Sequence, residues 1–129
     1  MPSIFTRIIQ GELPAYTIAE DADCYAFLDI NPNARGHVLC VPRKEVDKIF
    51  DLDDDLYEKL MRFSKRIAAA LEKALPCKRV GMAVIGLEVP HAHVHLIPLN
   101  DMHEITFQTK VKMTDEEFKR LVSDIKSQL

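Results

Sequence analysis

The run His91-Ala92-His93-Val94-His95 places an imidazole at every second position and is followed by the apolar pair Leu96-Ile97. Alternate residues of a β-strand point to one side, so this spacing predicts a strand with three imidazoles on one face and Ala92, Val94 and Leu96 turned to the core. With an unperturbed pKa of about 6.5, imidazole serves near neutral pH as neutral base, nucleophile or charged acid. A merely wet strand face would more commonly carry Thr, Lys or Glu than three histidines in register. A metal centre is limited by reach. At about 3.3 Å per residue, His91 and His95 stand roughly 13 Å apart at the backbone, so an ion with ligands about 2.1 Å away takes at most two of the three. The third histidine and any further ligands must then be explained separately, which makes a metal site the weaker reading.

His37 opens another strand directly after Gly36 and would join the row if the two strands bring their ends together. No Ser, Cys or carboxylate nucleophile stands beside the histidines, which narrows the chemistry. A neutral imidazole can attack phosphorus and form a covalent phosphoramidate, splitting one hard displacement into two easier ones. A neighbouring imidazole can give the leaving group a proton and then help activate water. Gly36 and Gly86, lacking side chains, would let backbone approach such a ligand.

The elements that must position these groups are legible in the periodicity. Ser3 offers a cap to a short helix with apolar positions Ile4, Phe5, Ile8 and Ile9, ending at Gly11 and Pro14. Tyr16–Glu20 and Cys24–Ile30 read as a hairpin, and His37–Val41 as a third strand reached through the turn-rich stretch Asn31 to Gly36. Leu56, Leu60, Phe63, Ile67, Leu71 and Leu75 recur at helical spacing, predicting a long helix from Asp53 to Leu75 that is stopped by Pro76. Val80–Leu87 and Ala92–Leu99 read as two more strands around a turn at Glu88-Val89-Pro90. Thr114 and Glu117 form a capping box for a last helix, with Met113 placed to staple against Phe118. The expected fold is α+β: one domain over residues 1–129, with a five-stranded antiparallel sheet, a long central helix, a short N-terminal helix and a C-terminal helix.

Bulk properties agree with a single core. The chain has 129 residues, 47% of them hydrophobic, and a formal charge of −3 with both signs interspersed. No basic field of the kind that drives nucleic-acid or anionic-membrane binding is present, and no apolar run approaches the roughly 20 residues of a membrane span. Cys24, Cys40 and Cys77 are odd in number and widely spaced, which points to packing roles in a reducing, cytoplasmic setting. His103 reads as a loop residue and Asp53 to Asp55 as helix-end charge.

The segment from His91 to Ile97 resembles the His-φ-His-φ-His-φ-φ signature, with φ apolar, of the histidine-triad superfamily, most like its Hint branch of nucleotide-binding hydrolases. Three further segments resemble that branch in order: Ser3 to Ile9 its opening, Ala26 to Ile30 its ribose-binding strand, and Gly36 to Lys44 its second phosphate-facing segment. The resemblance covers the chain up to about Leu99. It implies that His93 is a nucleophile taking a nucleoside monophosphate from a phosphoramidate or related ester. It further implies that His95 and His37 contact phosphoryl oxygens and leaving group, that His91 orients the central ring, and that Asp29 accepts from ribose hydroxyls. Ile4, Phe5, Ile8, Phe27, Leu28 and Ile30 would enclose a purine, with Glu88 and Val89 at the substrate side of the turn before the triad. No cofactor is implied; the expected partners are a purine nucleotide or nucleoside phosphoramidate and a second copy of the chain in a homodimer. A nucleotide-binding regulatory module and a dinucleoside polyphosphate hydrolase remain alternatives on this fold.

Departures from the pattern accompany the matches. Zinc-binding members place two cysteines and a histidine where this chain has Ser3, Thr6 and Glu45, leaving only His91 of that ligand set, so no metal is expected. Leu87 stands where a phosphate-binding Gln is usual, Glu88 follows it, and Glu104 replaces an aromatic residue.

Overall fold

The computed structural model describes residues 1–129 and contains a five-stranded antiparallel sheet with a helix layer on one face. In chain order the elements are α1 (Ile4–Ile9), β1 (Thr17–Glu20), β2 (Cys24–Leu28), β3 (Val38–Pro42), α2 (Asp54–Ala74), β4 (Arg79–Ala83), β5 (Val94–Leu99) and α3 (Asp115–Lys126). Short 3-10 turns at Ile49–Asp51 and Met102–Ile105 complete it. The spatial strand order is β1-β2-β3-β5-β4, so β5 is inserted between β3 and β4. That insertion pairs Val38 with Leu96 and Leu39 with His95, setting His37 beside the triad.

The alternation of side chains divides the core in two. Ala26, Leu28, Val38, Cys40, Ala92, Val94 and Leu96 face α2 and α3, where they meet Leu60, Phe63, Ile67, Leu71, Phe118 and Leu121. On the opposite face Phe27, Leu39, Tyr25 and Val41 pack with Phe5 of α1. Asp53 caps α2 by accepting from the Leu56 N–H at 2.8 Å, and the capping box of Thr114 and Glu117 starts α3. Gly36 has φ +89° and lies so close to Leu75 that a Cβ would stand 2.2 Å from its Cδ1. Cys24, Cys40 and Cys77 are unbonded to one another, and burial pushes the Cys24 and Cys40 thiols up to about 12, so they act as packing groups. No helix is long and apolar enough to cross a membrane.

Three strand boundaries differ from the periodicity by more than one residue. β4 stops at Ala83, not Leu87, because Ala83 pairs with His95 and the chain then turns through Gly86 at φ +77°. β5 starts at Val94, not Ala92, because the Ala92 N–H donates to the Val46 carbonyl at 2.7 Å, outside the sheet. β2 ends at Leu28, two residues short of Ile30, as Asp29 and Asn31 turn toward the third strand. His91 and His93 therefore precede the regular ladder, yet Ala92, Val94 and Leu96 share the helix-side core as the alternation requires.

Candidate active site

Each histidine has a proton inventory that its neighbours dictate. His93 Nδ1 lies 2.7 Å from the His91 carbonyl oxygen. A carbonyl only accepts, so Nδ1 carries the proton and Nε2 is left as an uncommitted lone pair. His91 Nε2 is 2.7 Å from the Pro42 carbonyl and must donate to it, which leaves His91 Nδ1 to accept from the Ser3 hydroxyl at 2.7 Å. Both nitrogens of His91 are thus used inside the protein, where the ring is fully buried and its pKa lies below the ordinary value because burial disfavours the cation.

The other two rings form a relay. The Asn33 backbone N–H donates to His37 Nδ1 at 3.0 Å, so the His37 proton sits on Nε2. His37 Nε2 lies 2.9 Å from His95 Nδ1 and donates to it, which places the His95 proton on Nε2. Burial first, and then the neighbouring histidines and Lys110, lower His37 to about 3 and His95 to about 4, so both rings are neutral at pH 7. The arrangement ends in one bare acceptor, His93 Nε2, and one bare donor, His95 Nε2–H, on rings 4.9 Å apart. The fully enclosed side-chain atoms without a partner are Asn33 Nδ2 and Ser64 Oγ, so neither of these ring nitrogens is sealed off.

Two aromatic rings wall the row. Phe5 meets His93 edge-on at 5.0 Å and His91 at 5.8 Å, while Phe107 meets His95 at 4.8 Å and His37 at 6.0 Å. Phe5 also contacts Phe27 at 5.4 Å, with Ile8 and Val89 packed on the same cluster. Asp29 sits beyond the end of β2 with Oδ2 3.6 Å from His37 Nε2 and Oδ1 accepting from the Asn31 N–H at 2.8 Å. Burial raises its pKa against the pull of Asn31 and Lys110, and the charge of Glu88 is felt there as well. Glu88 itself is exposed, at the open side of the site.

The structure therefore gathers His37, His91, His93, His95, Asp29, Phe5, Phe27, Ile8 and Val89 around one sheet face. Ile4 lies on the exposed side of α1. Leu28 and Ile30 do not join the group. Leu28 points to the helix-side core because it is one residue out of phase with Phe27, and Ile30, 73% exposed, projects from the loop after β2. His91 holds His93 through its main-chain carbonyl, while its imidazole ties α1 to β3. His103, expected in a loop, lies in the exposed 3-10 turn Met102–Ile105, 3.5 Å from Asp101. Asn33, Phe107 and Lys110 carry no sequence signal, since their proximity arises from a turn and from chain folding back after β5.

Two metal readings fail on donor chemistry. Asp29, His37 and His95 offer three ligand atoms within 4.8 Å of one another. The Asn33 N–H aimed at His37 Nδ1 forces the proton onto Nε2, the very atom a cation would need. The family zinc positions also converge, but as a closed hydrogen-bond set. Ser3 donates to His91, Thr6 Oγ1 donates to Glu45 Oε1 at 2.7 Å, and the Ser3 and Thr6 N–H groups find Glu45 and Ser3 Oγ. Two neutral hydroxyls and a spent imidazole lone pair are poor zinc ligands, and the one strong donor left, the Glu45 carboxylate, already accepts two hydrogen bonds on Oε1, so this corner does not fit the ion.

Comparison with known proteins agrees with this geometry. A family model described as the HIT domain matches residues 10–102. An uncharacterized HIT-like protein of Borreliella burgdorferi is 34% identical over 131 residues, covering 95% of this chain and 94% of that protein. The adenosine 5'-monophosphoramidase HNT1 of Saccharomyces cerevisiae is 36% identical over 99 residues, covering 76% of this chain and 63% of its own length. Among solved structures, a Hit-like protein of Bartonella henselae superimposes with a TM-score of 0.86 at 26% identity, covering 98% of this chain and 96% of that one. A zinc-bound histidine triad family protein of Mycobacterium smegmatis follows the same fold with a TM-score of 0.82 at 26% identity, covering 97% and 93%. The sheet order, the triad on its inner strand and the matched family model together place this chain in the HIT, or histidine-triad, family.

Proposed function

We propose that the protein is a nucleotide hydrolase that cleaves nucleoside phosphoramidates, or related nucleotide phosphate esters, through a nucleotidyl-His93 intermediate. The observation that carries this reading is the pinned Nδ1–H of His93, which leaves Nε2 as a free base on a ring that cannot flip without breaking a 2.7 Å bond. Relatives named as adenosine 5'-monophosphoramidases support the substrate class.

In the proposed reaction His93 Nε2 attacks phosphorus as the P–N or P–O bond to the leaving group breaks. The positive charge of the phosphorylated ring is held against the His91 carbonyl. The His95 Nε2–H first hydrogen-bonds a phosphoryl oxygen and then passes its proton to the departing nitrogen or oxygen. An anionic substrate beside His95 raises the ring's affinity for a second proton, drawn from solvent, so the ring cycles between imidazolium and imidazole. Asp29 Oδ2 is the alternative acceptor for the His37 Nε2–H while His95 is charged. Water then attacks the adduct, returning its proton to His95 and the nucleoside monophosphate to solution. Phe5, Phe27, Ile8 and Val89 supply the apolar wall for a purine, and Asp29 the acceptor for ribose hydroxyls.

Glu88 and Leu87 favour a second reading, a nucleotide-binding module with weak turnover, because a carboxylate whose charge reaches Asp29 opposes an anionic substrate. The test is mass spectrometry after brief exposure to an aryl-amine adenosine phosphoramidate. An adenylyl mass on the peptide containing His93 is expected. Calorimetric nucleotide binding with neither adduct nor product overturns the hydrolase in favour of the module.

A further inference from the structure

The chain after β5 folds back over the relay. Phe107 takes the left-handed backbone region, at φ 62°, to lay its ring against His95 and His37. Non-glycine residues are rare there and are retained where their surroundings hold them, often at functional sites. The Val111 N–H donates to the Pro32 carbonyl at 2.9 Å, fastening this strap to the turn that carries Asn33. Between the two contacts, Lys110 Nζ stands 4.9 Å from the centre of the Phe107 ring and donates to Asn33 Oδ1 at 2.7 Å.

That last bond has an unusual standing. An ammonium group only donates, so it fixes which end of the Asn33 amide is oxygen. Asn33 is 2% exposed and its Nδ2 has no partner. The bond from Lys110 is therefore the one hydrogen bond holding this buried side chain, and the backbone N–H of the same residue is the group that assigns the His37 tautomer.

We infer that Lys110 is a positioning residue: by anchoring Asn33 it keeps the Asn33 N–H on His37 Nδ1 and thereby keeps the proton of His95 on Nε2. Lys110 touches no reacting atom. Without its ammonium, the buried amide turns to find an acceptor for Nδ2 and the Asn33 turn moves with it. His37 is then free to carry its proton on Nδ1. In that tautomer His37 Nε2 accepts from His95 Nδ1–H, and the resting, neutral His95 presents a lone pair where it had presented a donor, so the acid proton has to be taken up at Nε2 under the bound substrate instead of being already in place there. The consequence for catalysis rests on the proposed hydrolase reading, in which His95 Nε2–H serves the phosphoryl oxygen and the leaving group. Substrates with poor leaving groups depend on that proton most.

The test combines a tautomer measurement on the unliganded full chain with leaving-group kinetics. Long-range proton–nitrogen NMR of the wild-type protein is expected to show protonated Nε2 and bare Nδ1 on both His37 and His95. Lys110→Met is expected to mix in the opposite tautomers, and Lys110→Arg, which restores a cationic donor, to return the wild-type pattern. With adenosine phosphoramidates, Lys110→Met is expected to lower kcat about tenfold or more for an alkylamine leaving group and less than about twofold for an aromatic amine. An unchanged tautomer pattern in Lys110→Met, or an equal loss on both substrates, overturns the inference. Asn33→Ala supplies a second route: combined with Lys110→Met it is expected to do no more than either alone, and additive effects also overturn it. A wild-type protein without turnover would refute the hydrolase while the NMR pattern still decides the role of Lys110.

Discussion

The main-chain carbonyl of His91, and not its imidazole, accepts the Nδ1–H of His93 at 2.7 Å. The first and second triad histidines therefore separate on mutation. His93→Ala removes the only uncommitted imidazole acceptor of the site and is expected to abolish nearly all turnover while nucleotide binding and thermal stability are largely kept. His91→Ala keeps the carbonyl but empties a fully buried site and unpairs Ser3 from its acceptor. It is expected to cost about 2–4 kcal/mol of stability, with a smaller loss of kcat than His93→Ala shows. Urea denaturation and steady-state kinetics on the two variants check the contrast; unchanged hydrolysis by His93→Ala excludes the chemistry.

The neutral relay predicts acid sensitivity. His37 titrates at about 3 and His95 at about 4 in the folded protein, chiefly because burial disfavours their charged forms. In the unfolded chain both titrate near about 6.5, so below that pH the unfolded state binds protons that the native state refuses. Stability from these groups is full above about pH 6.5 and falls as pH drops toward about 3, by on the order of a few kcal/mol in total. Asp29 works in the opposite sense. Its raised native pKa means that the folded form keeps a proton longer, so its contribution declines as pH rises through that titration. Denaturation midpoints between pH 4.5 and 7.5 are expected to rise with pH, and less steeply in His37→Gln. A flat wild-type profile contradicts the neutral pair.

How far this could be read from sequence depended on whether a contact has a period. The helix over residues 54–74 and the division between Leu96 and His95 follow from apolar spacing, because burial of one face is what makes the element. Leu28 falls outside the site for the same physical reason: membership in the strand resembling the ribose segment does not specify which face each residue takes. Meeting of His37 with His95 required the insertion of β5 between β3 and β4, a long-range pairing that local pattern does not encode. Tautomers are equally out of reach, since they depend on the carbonyls of His91 and Pro42 and on the Asn33 N–H, main-chain groups that carry no residue-type signal.

The corner of Ser3, Thr6, Glu45 and His91 predicts a zinc-free protein with a hydrogen-bonded substitute. Ser3 Oγ accepts the Thr6 N–H at 3.1 Å as the cap of α1 and donates to His91 at 2.7 Å, so one hydroxyl secures both the helix and the triad. Ser3→Ala removes both bonds and is expected to destabilise the fold by about 1–3 kcal/mol. Elemental analysis of tag-free protein is expected to find no stoichiometric zinc; one equivalent that disappears in Ser3→Ala or His91→Ala would refute the assignment.

The outer edge of β4 predicts the assembly. β4 lies at the end of the sheet and pairs only with β5, so one side of its backbone has free N–H and C=O groups. Met82, Val84, Ile85 and Leu87 are exposed along and just beyond this edge, with Leu87 89% exposed. An open edge flanked by apolar side chains is a pairing template, and a second copy meeting it about a two-fold axis closes both edges at once. We therefore expect a homodimer in which the two sheets continue across β4, bringing the loop of Gly86 to Val89 of each subunit near the shared boundary. Sedimentation equilibrium of the wild-type protein is expected to give twice the chain mass of 14.7 kDa. Met82→Lys combined with Ile85→Glu places desolvated charges on the seam and is expected to yield a folded monomer. Because His93, His95 and His37 belong to one chain, that monomer is expected to retain the adduct chemistry, with any loss confined to substrate affinity through the displaced Val89 wall. A monomeric wild-type protein, or a dimer indifferent to both charges, would place the interface elsewhere.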